Sequence, residues 1–180
     1  MTTPLTNPLG RAPAAAVAYV RSILDLLGDR DPLEVQSHTA QSLRAAIKGL
    51  PEKALATPER PGKWSIAQVC HHLADSEIVY GWRLRLVLSQ ERPAITGYDQ
   101  DAWTARVGGA YRDAAHAIDI FALLRDSHIL LQRSLTPAQW EHVGMHSERG
   151  PESVRLMAKL YAGHDLAHLK QIARIRQAIA

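Results

Sequence analysis

Between Met157 and Ile175 the apolar positions Met157, Tyr161, Ile172 and Ile175 recur at gaps of three or four residues, and the positions that complete the stripe are His164 and His168. That spacing is the inward face of a bundle helix. It constrains fold and chemistry together. The helix has to bury this stripe, and burying two imidazoles one turn apart costs free energy unless their ring nitrogens are satisfied. A divalent cation does so directly, because histidines at i and i+4 present their nitrogens to one point. Hydrogen bonds to carbonyls or carboxylates are the other solution.

The same period recurs upstream. Val17, Val20, Ile23, Leu24 and Leu27 form one face, ended by Gly28. Asp31-Pro32 reads as an N-cap with proline at the first helical position, opening a helix marked by Leu33, Val35, Leu43, Ile47 and Leu50 and broken at Pro51. Ser65 with Gln68 three residues on predicts a capping box for a third helix, which carries Ile66, Val69, Cys70, Leu73, Tyr80, Leu84 and Val87 to about Gln90. Further helices are expected over 113–135 and 152–179. No segment alternates with the period of two that a half-buried strand needs. The expected fold is therefore all-α, a four-helix bundle with an additional N-terminal helix. A long loop, residues 93–112, joins the second and third bundle helices. It is expected to carry a short helix from Asp99 to Arg106, and loops of that length tend to be functional. Residues 1–13, with three prolines, are expected to form a flexible tail, and residues 14–180 one domain. Residues 142–151 read as a connection.

Composition narrows the function classes. A net charge of +3 on 180 residues is too small for a nucleic-acid footprint. No apolar run approaches the ~18 residues of a membrane span. The single cysteine, Cys70, excludes an internal disulfide. With no signal-peptide pattern at Met1–Pro8, the expected compartment is cytoplasmic, and the expected partner is a small molecule rather than nucleic acid or membrane.

A third ligand for the His164–His168 pair has to come from another helix. Nine histidines are available. On the third helix, His72 lies closer to the apolar face than His71, a mild preference. His142 and His146 also stand four apart, but Gly144 between them argues against a helix, which leaves His146 to reach the site from a loop. His116 and His128 read as surface or boundary residues. Asp165 and Asp75 are placed to accept a ring N–H from a ligand. Glu77, on the apolar face of its helix, could be a fourth ligand, a general base or the partner of a buried arginine. Cys70 reads as a small buried residue.

The run Trp64-Ser65-Ile66-Ala67-Gln68-Val69-Cys70-His71-His72-Leu73-Ala74-Asp75-Ser76-Glu77 resembles the signature of the DinB-like superfamily, in its YfiT-like branch. So do the stretch from Pro93 through Tyr98-Asp99 to Trp103, His146-Ser147-Glu148-Arg149-Gly150, and His164-Asp165-Leu166-Ala167-His168-Leu169. The resemblance implies a four-helix bundle, often a homodimer, with a metal held by His72, His164 and His168. The metal would be zinc, nickel or another divalent ion. It further implies a metal-dependent enzyme, an S-transferase using a low-molecular-weight thiol cosubstrate or a related hydrolase, with a non-catalytic metal- or ligand-binding role in stress response as the alternative. His146, Glu77 and Asp99 are the expected catalytic residues. The chain departs from the YfiT-like pattern at Glu77, where that pattern has a further histidine.

Overall fold

A computed structural model describes residues 13–107 and 113–179. The expected tail lies almost wholly outside the described residues, as do five residues of the long loop. Among the described residues, eight helices and three short strands follow in the order α1 (Pro13–Leu27), α2 (Pro32–Ile47), α3 (Glu52–Ala56), α4 (Ile66–Ser89), β1 (Ala94–Ile95), α5 (Gln100–Arg106), α6 (Ala114–Arg133), α7 (Pro137–Trp140), β2 (Val143–His146), β3 (Gly150–Ser153) and α8 (Val154–Ala178). The bundle is α2, α4, α6 and α8, and α1 packs as an additional helix along α8.

The helix ends are set by local chemistry. Asp31 accepts hydrogen bonds from the backbone N–H groups of Leu33 and Glu34 at 2.7 and 2.9 Å, and Pro32 follows as expected. The capping box of Ser65 and Gln68 is formed. Asp99 caps α5 by accepting from Ala102 N–H at 2.8 Å. α2 stops at Ile47, three residues short of the expected end, and a separate short helix, α3, follows Pro51.

The four-helix bundle with its additional N-terminal helix is as expected, and three short strands join it. β1 pairs parallel with β2, and β2 pairs antiparallel with β3, in register His146 to Gly150 and Ile95 to His146. Strands of two to four residues are too short to display a period. Gly144 inside β2 is glycine for packing reasons: a Cβ there would strike the side chains of Ile95 and Val87.

The core comes in two apolar parts. One gathers Leu43, Ile66, Leu73, Phe121 and Ile172; the other gathers Tyr80, Leu84, Val87, Ile95 and Met157. Along α4, α6 and α8 alike, buried polar residues separate the two. That belt holds the functional candidates.

Candidate metal centre and adjoining cleft

α4 delivers His72 and α8 delivers His164 and His168 to one point. His164 Nε2 lies 3.1 Å from His72 Nε2 and 3.0 Å from His168 Nε2, and the three ligand atoms fall within 4.8 Å of one another. Zinc–imidazole bonds of about 2.0–2.1 Å at tetrahedral angles put neighbouring nitrogens about 3.3–3.4 Å apart, close to the spacings found. His168 Nδ1 donates to Gln171 Oε1 at 2.8 Å, which fixes its tautomer and turns the Nε2 lone pair toward the other rings. Burial keeps all three imidazoles neutral. His168 is brought down to about 4, and His72 and His164 lie well below the ordinary histidine value, each disfavoured further by its neighbours. Three neutral nitrogens converging without a carboxylate between them form a donor set that fits a borderline divalent ion.

Beneath the triad lies a charged cluster of the belt. Arg125, fully buried on α6, donates from Nη1 to Asp165 Oδ2 at 2.5 Å and from Nη2 to Glu77 Oε1 at 2.7 Å. His128 Nδ1 donates to Glu77 Oε2 at 2.9 Å, and Thr39 Oγ1 donates to Asp165 at 2.8 Å. Tyr80, Gln132 and Gln36 extend the network to the backbone of Ala158. α2, α4, α6 and α8 are thus tied together one residue from His164.

On its other side His164 lines a cleft, together with Arg83, Tyr98, His146, Arg149 and Tyr161. Burial raises the Tyr98 and Tyr161 hydroxyls above the usual phenol range, so both remain protonated. His146 Nδ1 accepts the backbone N–H of Glu148 at 3.1 Å. Its imidazole is lowered to about 3 by burial first and then by Arg149 and Arg83.

Residues 37–172 match the sequence profile of the DinB superfamily. A protein of Bacillus mycoides, named a candidate metal-dependent hydrolase, is 30% identical over 93% of this chain and 95% of its own length. YfiT of Bacillus subtilis, named likewise, is 29% identical over 79% and 82%. The chain belongs to the DinB superfamily. The solved structure of YfiT, described as having an unusual four-helix bundle topology, superposes on this fold with a TM-score of 0.71 at 24% identity, covering 96% of this chain and 94% of that one.

In this DinB-superfamily chain the expected site residues divide. His72, not His71, faces His164. His146 reaches the cleft from β2, not from a loop. Glu77 takes the third of its open roles, with both oxygens engaged by Arg125 and His128. Asp99 is an exposed helix cap outside the lining of the cleft. Asp165 serves Arg125 and Thr39, and Gln171 supplies the ring contact expected of a carboxylate. His128, expected at the surface or a boundary, is buried. Cys70 is buried, and its thiol is pushed up to about 12 by desolvation, consistent with a packing role. Arg125, Arg83 and Arg149 were not among the expected residues. Arg125 carried a signal: Ile118, Phe121, Arg125, His128 and Gln132 continue one stripe at gaps of three and four.

Proposed function

We propose that this protein is a metal-dependent enzyme acting on a small molecule, with His72, His164 and His168 holding one zinc or nickel ion at the end of the cleft. The convergence of the three Nε2 atoms beside an open cleft carries the reading. A divalent ion bound by neutral ligands keeps its full charge and open coordination positions, and it supplies Lewis acidity that acidifies a water or thiol. The chain's own groups do the rest. Gln171 holds His168 in its ligating tautomer. Arg125 and Asp165 fix the position of α8, and with it His164. The cleft admits and orients the substrate.

Between the two chemistries, hydrolysis agrees with the names of the relatives. Transfer of a low-molecular-weight thiol to an electrophile is the finer reading and the one we favour, since a thiolate is the softer nucleophile for such an ion. The alternative, a metal-binding protein without catalysis, is opposed by the cleft that reaches His164.

The test begins with elemental analysis of protein purified without an affinity tag, which should give near one metal per chain. Metal-replete protein is then assayed with 1-chloro-2,4-dinitrobenzene in the presence and absence of a thiol, and with p-nitrophenyl acetate. Thiol-dependent turnover supports transfer, and ester turnover without thiol supports hydrolysis. Full metal content after replacing both His164 and His168 by alanine defeats the whole reading.

A further inference from the structure

Arg83 is a buried guanidinium, 6% exposed, and no carboxylate of the described residues lies within ion-pair distance. Its partners are neutral: Nη2 donates to the carbonyl of Thr96 at 2.8 Å and Nη1 to the hydroxyl of Tyr161 at 3.3 Å. An arginine cannot shed its proton to escape burial. A buried charge is tolerated when it is paired, and Arg83, with donors beyond these two bonds, lines the cleft.

His146 makes the same demand. Its Nδ1 is committed as an acceptor to the N–H of Glu148. The proton of the neutral ring therefore sits on Nε2. That Nε2 is buried and has no partner among the described residues, and His146 lines the cleft. It is a donor awaiting an acceptor.

Arg149 adds a second guanidinium on the wall. Glu152 neutralises it, bonding Nε and Nη2, and Nη1 is left over. The acidic groups near this wall include Glu152, bonded to Arg149, Glu148, whose carboxylate lies against Gly97, Asp75, whose charge acts on Tyr98, and Glu77, which acts on Tyr161 and is held by Arg125 and His128; none of them is ion-paired to Arg83 among the described residues. The phenols of Tyr98 and Tyr161 are further donors.

We propose that the cleft beside His164 is an anion subsite for a carboxylate of the substrate or thiol cosubstrate, held by Arg83, by the Nε2–H of His146 and by the remaining donors of Arg149. His146 is then a hydrogen-bond donor, a substrate-binding residue and not a base or a fourth metal ligand. The assignment deepens the enzyme reading above and rests on it for the position of the reacting group, but the subsite itself needs no metal.

The experiment has two arms. Metal-free full-length protein labelled with ¹⁵N-histidine is titrated with propionate and, separately, with neutral propionamide. The His146 Nε2–H resonance should be present and should shift with propionate alone. Cobalt-loaded protein is then titrated with 3-mercaptopropionate and 2-mercaptoethanol, read by its absorption spectrum. The carboxylate thiol should bind roughly tenfold tighter or better, the worth of one charge-assisted contact, and Arg83→Gln should erase the difference. Where Arg83→Gln does not fold, Arg149→Gln and Arg83→Lys take its place, each with reduced discrimination. The proposal is overturned if His146 carries its proton on Nδ1, if propionate and propionamide act alike, or if folded variants keep the preference. A propionate response in a protein whose cobalt spectrum ignores both thiols sustains the subsite and defeats the metal-centred reading instead.

Discussion

Arg125 reaches across the bundle to Asp165, 2.5 Å from Nη1 to Oδ2, and thereby ties α6 to the residue that follows His164 on α8. The same guanidinium holds Glu77 on α4 at 2.7 Å. Taking away the cation leaves two buried carboxylates facing each other without a counter-charge. Breaking a buried ion pair on one side costs about 3–5 kcal/mol. Arg125→Met should lower the free energy of unfolding by at least that much in urea titration. The triple change Arg125→Met, Glu77→Leu, Asp165→Leu should recover much of the loss, because it removes the orphaned charges along with their partner. A single variant as stable as the parent would show that the network contributes nothing.

Gln171 bonds the histidine triad through His168 Nδ1. Replacing it by leucine keeps the volume and removes the acceptor that fixes the ligating tautomer. Outer-shell losses of this kind weaken metal affinity about 10–100-fold. Gln171→Leu should show that loss in a competition titration against a chromophoric chelator, with unchanged stability of the metal-free protein. His164→Ala, which removes the central nitrogen of the three, should abolish stoichiometric binding.

The triad also sets an acid limit. His168 is brought down to about 4 by burial, and burial with neighbouring imidazoles pushes His72 and His164 well below the usual value. In the unfolded chain each titrates near 6.5. The unfolded state therefore binds more protons than the folded state between those limits, and stability rises with pH there. The contribution is complete above about pH 6.5 and is lost as pH falls from there toward about 4. Scanning calorimetry in EDTA should show the melting temperature dropping across that window. Saturating zinc should move the drop to lower pH, because a bound cation and a proton compete for the same lone pairs. A melting temperature in EDTA that stays flat from pH 6.5 to 4.5 would contradict this account of the triad.

The bundle was legible because each long helix buries a stripe, and the stripe is a sequence pattern. His164 and His168 stood out as polar members of one such stripe. The belt around Arg125 is hidden for the converse reason: an apolar count on α6 follows Ile118, Phe121, Leu124, Ile129 and Leu131 and leaves out Arg125, His128 and Gln132, the polar members of the buried stripe. Glu77 had its three roles in view, but choosing among them needed the arginine opposite, and cross-helix pairing has no periodic signature. The small sheet was missed because β1, β2 and β3 hold two, four and four residues, with glycine and proline inside. That omission hid how His146 is positioned: β2 carries it, and the turn at Glu148 fixes its tautomer.

Gly163, directly before His164, is where α1 rests on α8. A Cβ there would fall on the carbonyl oxygen and Cγ2 of Ile23. The neighbour is backbone of a packed helix, so it cannot rotate away as a flexible side chain would. Ile23 and Leu27 are buried at this contact, and Tyr19, one turn earlier on α1, lines the cleft. Gly163→Ala improves helix propensity by about 1 kcal/mol, yet overpacking of this kind costs about 1–3 kcal/mol, and the steric term should win. The variant should be destabilised in urea titration, and hydrogen exchange should rise in α1 before it rises in α4 or α6. Gly163→Ala combined with Ile23→Ala should not recover the parent stability, because the clash with the backbone oxygen persists. Full recovery in the double variant would place the conflict in the Ile23 side chain alone.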